Sequence, residues 1–165
     1  MRRAGIDPGS ARTGVAVAED DVPVATPLCT VTHRGLEDAV KQVAELFARE
    51  QIEQAVIGLP LAMDGREGDA ARKARRFAER LQALSGVPVI LWDERLTTTA
   101  ALRAQQALGV RAQAGRAKID QAAATLILQS YLDSQRDRPW PDDPMEMDPS
   151  PTQPAGRNRD RARRG

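Results

Sequence analysis

The chain reads as an α/β protein with a mixed sheet of about five strands, three antiparallel and then two parallel, flanked by helices. Three observations predict this class. Residues 3–18 have the pattern of a β-hairpin, apolar and β-branched on both sides of a Pro-Gly-Ser turn. The runs 55–58 and 87–92 are short, apolar and bounded by glycine or proline, as in strands buried on both faces. A segment with apolar residues at helical spacing precedes each run, which is the alternation that builds parallel strands.

The hairpin carries Asp7 to the end of its first strand, followed by Pro8, Gly9 and Ser10 and a return strand after Gly14. Aspartate is a poor strand residue, so its position has a reason. Either its carboxylate accepts amide hydrogen bonds from the turn, or it holds a divalent cation beside a phosphate that the glycines admit to the backbone. A third strand is expected over 22–31, at a sheet edge or with a bend, because Pro23 and Pro27 donate no ladder hydrogen bond.

Residues 36–49 place Leu36, Ala39, Val40, Val43, Leu46 and Phe47 on one helical face. After the strand at 55–58 comes a loop over 59–68 with Asp64-Gly65 as its turn signal. The helix that follows has Ala70, Ala74, Phe77, Ala78 and Leu81 as its inner face, Asp69 as its expected cap, and Gly86 and Pro88 beyond its end. The strand over 87–92 stops at Asp93-Glu94-Arg95. A threonine at 97–99 is expected to cap a helix running through Ala107, and 109–116 reads as a loop. Residues 118–131 form the last expected helix, with Asp120 in its first turn.

With 165 residues, 41% hydrophobic and 28% charged, the chain suits one soluble domain, expected over 1–135. A disordered tail is expected over 136–165, interrupted by prolines, acidic at first and then rich in arginine. No apolar run is long enough to span a membrane and no secretory leader opens the chain, so the cytoplasm is the expected compartment. Cys29 is the only cysteine, which excludes an internal disulfide. His33, the only histidine, reads as a surface residue in a polar turn, and zinc chemistry has no further His or Cys to use. The net charge of +1 conceals a basic helix carrying Arg72, Lys73, Arg75, Arg76 and Arg80.

Asp7, the pair Asp93 and Glu94, and Asp120 each stand where an apolar element ends or a helix begins. In an open α/β sheet, ligands bind beyond the carboxyl ends of the strands, which is where these carboxylates are expected to gather. An all-oxygen donor set suits magnesium or manganese. Two such ions about 4 Å apart activate a water and stabilise the leaving oxygen in attack on a phosphodiester. The structural alternative for each residue is plain: Asp120 gains from the helix macrodipole, and Asp93 or Glu94 pairs with Arg95.

The stretches Gly-Ile-Asp-Pro-Gly-Ser-Ala-Arg-Thr-Gly-Val-Ala, Val-Ile-Gly-Leu-Pro-Leu-Ala-Met-Asp-Gly-Arg-Glu-Gly, Trp-Asp-Glu-Arg-Leu-Thr-Thr and Lys-Ile-Asp-Gln-Ala-Ala-Ala-Thr-Leu-Ile-Leu-Gln-Ser-Tyr-Leu resemble the signatures of the YqgF/RuvX family. The resemblance covers residues 3 to 132, in order, and leaves the tail outside. It implies an RNase H-like fold and a hydrolase. Members are described as nucleases that mature the 5′ end of 16S rRNA and as Holliday junction resolvases. It further implies that Asp7 is the acid of the first strand, Asp93 or Glu94 the acid after the later strand, and Asp120 the acid of the last helix. These are the expected catalytic and metal-holding residues, and Glu94 is preferred over Asp93 because related resolvases often use glutamate there. Ala62 replaces the asparagine usual before Met-Asp-Gly.

Arg12, Arg72, Arg76, Arg95, Arg116 and Lys118 are the candidate nucleic-acid ligands. Each has a structural alternative, Arg95 in locking the Asp93-Glu94 turn and the basic helix in simple solvation. The expected partner is structured or single-stranded RNA, or a four-way DNA junction; symmetric junction cleavage requires a two-fold homodimer. Two rival functions remain. The first glycine-rich turn also resembles the phosphate loop of actin-like ATPases, but those need a second lobe for which this chain is too short. A non-catalytic RNA-binding or ribosome-associated protein gains nothing from clustered carboxylates.

Overall fold

The computed structural model describes residues 1–96 and 113–136, and side chains over 1–96 and 118–136. Strands β1 (Arg2–Asp7), β2 (Arg12–Glu19) and β3 (Thr26–Thr32) lead into helix α1 (Leu36–Glu50). Then come β4 (Gln54–Leu59), α2 (Asp69–Ser85), β5 (Val89–Asp93), a 3-10 turn (Glu94–Leu96) and α3 (Gln113–Arg136). The sheet order is β3-β2-β1-β4-β5. β1 pairs antiparallel with β2, and β2 with β3, whereas β1, β4 and β5 run parallel, so the mixed sheet is the predicted one. Apart from Arg136, the last residue of α3, these elements fall within a compact unit, Met1–Gln135; the second unit, Arg136–Gly165, has only Arg136 among the described residues. The expected helix through Ala107, its threonine cap and the expected tail beyond Arg136, which itself ends α3, lie outside the described residues.

The two faces of the sheet are built differently. Ala4, Ile6, Val15, Val17, Ala55 and Ile57 meet the apolar faces of α1 and α2, where Phe47, Val43 and Leu81 are fully buried. The opposite face is lined by Gly5, Gly14, Ala16, Ala18, Val56 and Gly58, and α3 lies on it through Ala124, Ile127 and Leu128. Small residues let a helix approach closely: a Cβ at Gly5 would stand 2.6 Å from Leu128 Cβ and 2.7 Å from the Ala124 carbonyl oxygen.

Four local expectations are corrected. β3 begins at Thr26, not at 22, because the preceding backbone bonds to α3 instead: Ala25 N–H donates to Gln129 Oε1 at 2.8 Å, and Gln129 Nε2 donates to the Pro23 carbonyl at 3.3 Å. Pro27 is tolerated because β3 is an edge strand, with a bulge opposite Val15 and Ala16. Gly68, not Asp69, holds the N-cap position of α2; Asp69 opens the helix and pairs with Arg72. Helix α3 starts at Gln113, taking in residues expected as loop, and this puts Asp120 about two turns inside it, beyond the reach of the macrodipole explanation.

Candidate active site

Side-chain alternation decides which carboxylates meet. Asp7 follows Ile6 on β1 and so shares the α3 face with Gly5. Along β5, Ile90 and Trp92 join the core under α3 while Val89 and Leu91 join the other, so Asp93 continues the second set and Glu94 turns toward α3. Gly58, which stands opposite Trp92, makes room for that turn: a Cβ on it would lie 2.5 Å from Glu94 Oε1 and 2.6 Å from Ile127 Cδ1. Gly14, the register partner of Asp7, lies directly under the carbonyl oxygen of Asp120, so close that a Cβ would overlap it. The helix thereby sets Asp120 over the strand beside Asp7.

Asp7, Glu94 and Asp120 line a single cavity of about 830 Å³ at the carboxyl ends of the parallel strands, bordered by the hairpin turn and the first turns of α1 and α2. Asp7 is 8% and Glu94 6% exposed, unusual burial for carboxylates. Asp93 does not line this cavity. Arg95 grips it instead, with Nη2 donating to Oδ2 at 2.7 Å and the backbone amide donating to Oδ1 at 2.9 Å. Those hydrogen bonds from Arg95 hold the Asp93 carboxyl below the ordinary carboxylate range. Arg95 Nη1 also donates to the Met63 carbonyl at 3.2 Å, tying the loop after β4 to β5.

The candidate cations divide in the same way. Arg12 lines the cavity and its Nε donates to Asp120 Oδ2 at 2.9 Å. Arg76 lines it too, whereas Arg72 does not and is engaged with Asp69. Arg95 is spent on Asp93 and Met63. Lys118 is exposed, off the cavity; the Arg116 side chain lies outside the described residues. Lys73, expected in the basic helix but not among the ligands, lines the cavity one helical turn before Arg76. Its signal is the stripe Ala70, Lys73, Ala74, Phe77 at helical spacing.

His33 is the clearest correction. It is buried, not on the surface, with Nε2 2.9 Å from Thr13 Oγ1 and with Nδ1 buried without a hydrogen-bond partner among the described residues. Burial lowers its pKa from the ordinary 6.5, with Asp38 opposing. Between the two values the unfolded chain binds a proton that the native chain refuses, so stability is full above about pH 6.5 and is lost as pH falls toward the native value. The expected outcome is a melting temperature that drops between about pH 7.5 and about pH 5.5 in the wild type and drops less in His33→Gln, read by thermal denaturation.

A donor set of carboxylate oxygens, with no cysteine, suits a hard divalent cation. Among the described residues no three His, Cys, Asp or Glu side chains are gathered closely enough to enclose an ion, and the Arg12 guanidinium sits against Asp120. In kind the oxygen donors suit a hard divalent cation, but as they stand they do not enclose one, and Asp120 shares its carboxylate with a cationic side chain.

A relative from Anaeromyxobacter dehalogenans, strain 2CP-C, named "Putative pre-16S rRNA nuclease", is 45% identical over 133 residues, covering 81% of this chain and 97% of its own. One of the same name from Streptomyces coelicolor is 44% identical over 136 residues, covering 82% and 81%. The structure of T. thermophilus RuvC in complex with Holliday junction substrate superposes with a TM-score of 0.53 at 19% identity, covering 83% of this chain and 96% of that one, which places the fold with the RuvC-like RNase H architecture. The family model RuvX, described as Holliday junction resolvase, matches residues 1–134, and the chain belongs to that family.

Proposed function

We propose that this protein is a divalent-metal-dependent endonuclease that hydrolyses phosphodiester bonds, with precursor 16S rRNA as its substrate and 5′-end maturation as its role. One observation carries the chemistry: Asp7, Glu94 and Asp120, from separate elements, converge on one cavity at the carboxyl ends of the strands. The RNA assignment follows the names of the relatives at 45% and 44% identity.

Asp7, Glu94 and Asp120 would hold magnesium or manganese, which when bound supplies the charge that stabilises a phosphodiester under attack and lowers the pKa of water. The chain's own groups do the rest. Gly9 closes the hairpin turn at the cavity's rim, where a Cβ would run into the Arg12 carbonyl oxygen. Arg12, already at the acidic cluster, offers a fork of donors to a phosphate oxygen and stands ready to exchange Asp120 for it. Asp93 positions Arg95 and, through it, the loop at Met63.

The family description favours a second reading, cleavage of four-way DNA junctions, which requires a homodimer presenting its two acidic clusters to opposed strands. Among the described residues no helix is long and apolar enough to cross a membrane. The test is cleavage by the wild type of a labelled single-stranded RNA, a precursor-like rRNA segment and a synthetic four-way junction, with Mg²⁺, Mn²⁺ or EDTA. Cutting of the rRNA segment that needs metal supports the reading. Preference for the junction transfers it to the second, and inertness toward all three leaves a nucleic-acid-binding protein.

A further inference from the structure

Helix α2 carries Arg72, Lys73, Arg75, Arg76 and Arg80, and the structure sorts them into two groups. Arg72 is paired with Asp69, Arg75 with Glu67 at 2.6 Å and Arg80 with Glu37 at 2.8 Å. Lys73 and Arg76 make no ion pair among the described residues. On α2 the two unpaired cations are the two that line the cavity.

The cavity also crosses the end of the sheet. Asp7, Glu94 and Asp120 stand on the α3 face, whereas α2 packs on the other face through Phe77 and Leu81. One end is acidic and the other basic, and among the described residues Asp69 is the only carboxylate lining the basic side, where it is already paired with Arg72. A ligand matched to both ends is a polyanion with phosphates spaced along one chain. The cavity, about 830 Å³ and open to solvent, has room for a few nucleotides of a strand.

We infer that Lys73 and Arg76 form a second phosphate subsite, which holds the substrate strand on the α2 side while the scissile phosphate lies at the acidic cluster. The inference rests on the nuclease reading and extends its substrate contacts from the acidic cluster to α2. Phosphate contacts of this kind set register and affinity without reading sequence. Each phosphate neutralised releases counterions from the strand and so leaves its mark on the salt dependence of binding.

The test uses the full chain in an Asp7→Asn background, so that the substrate is not consumed. Fluorescence polarisation of a labelled single-stranded RNA is followed over a KCl series for three proteins: the background, Lys73→Ala/Arg76→Ala added to it, and Arg75→Ala/Arg80→Ala added to it. The expected result is that Lys73→Ala/Arg76→Ala flattens the slope of log K against log salt by about 1.4, or about 0.7 for each phosphate no longer neutralised. Arg75→Ala/Arg80→Ala leaves it within about 0.3, and circular dichroism shows all three folded. An unchanged slope in the first variant or an equal flattening in the second would overturn the inference. A wild type that cleaves RNA while the slopes coincide removes the subsite and keeps the nuclease. Slopes that separate while the wild type cleaves nothing keep the subsite and remove the nuclease.

Discussion

Asp7→Asn is expected to fold as the wild type does and to cleave nucleic acid on the order of a thousandfold more slowly in saturating Mn²⁺. The amide keeps the shape of the carboxylate, so the end of β1 and the hairpin turn retain their packing. It removes one negative charge from a site whose other carboxylates, Glu94 and Asp120, come from different elements and have no means of moving into its place. A loss of about 4 kcal/mol of transition-state stabilisation corresponds to that thousandfold drop. Single-turnover cleavage with matched melting curves checks it. Equal rates for the two proteins would mean that the acidic cluster is not the catalytic site.

Gly14→Ala is expected to lower stability by about 3 kcal/mol and the melting temperature by about 10 °C, and to disable the site as well. The new methyl would occupy the position of the Asp120 carbonyl oxygen, a backbone atom that no side-chain rotation clears. Helix α3 must then lift from the sheet, and Ile127 and Leu128, both fully buried beneath it, loosen together. Because Asp120 rides on the same helix, its separation from Asp7 grows with the lift. Gly58→Ala is milder. Its methyl meets the Glu94 carboxylate and the Ile127 methyl, which are ends of side chains able to turn aside, so activity suffers more than stability.

Much of this was legible in the residues, and the rest depended on register. The hairpin, the α1 and α2 faces and the parallel strands follow from patterns local to each segment, and Asp7 stands at the end of β1 because its own strand ends there. Asp93 and Glu94 are different. Period two says that neighbours face opposite sides, but both faces of β5 are apolar, and only its pairing with β4, which sets Trp92 against Gly58, shows which side holds α3. His33 looks like part of a polar turn until Thr13 of β2 closes over its ring, a contact between residues twenty apart that no local pattern carries.

Helix α3 begins in the weakly patterned Gln-Ala-Gly-Arg-Ala, where glycine argues for a loop and the continuing helix overrides it. The distinction between Arg72 and Lys73 was equally out of reach. Both are exposed cations on one helix, and what separates them is the placement of Asp69, Glu67 and Glu37 around their neighbours.

The central claim is that the face of the sheet under α3 assembles the reacting carboxylates, and a paired comparison of Glu94→Gln with Asp93→Asn tests it most directly. Single-turnover cleavage of the precursor-like rRNA segment in Mn²⁺ is measured for each against the wild type. The expected result is that Glu94→Gln loses at least about a hundredfold while Asp93→Asn, which only loosens the grip on Arg95, stays within about tenfold. The reverse order, with Asp93→Asn inactive and Glu94→Gln near wild type, would contradict it.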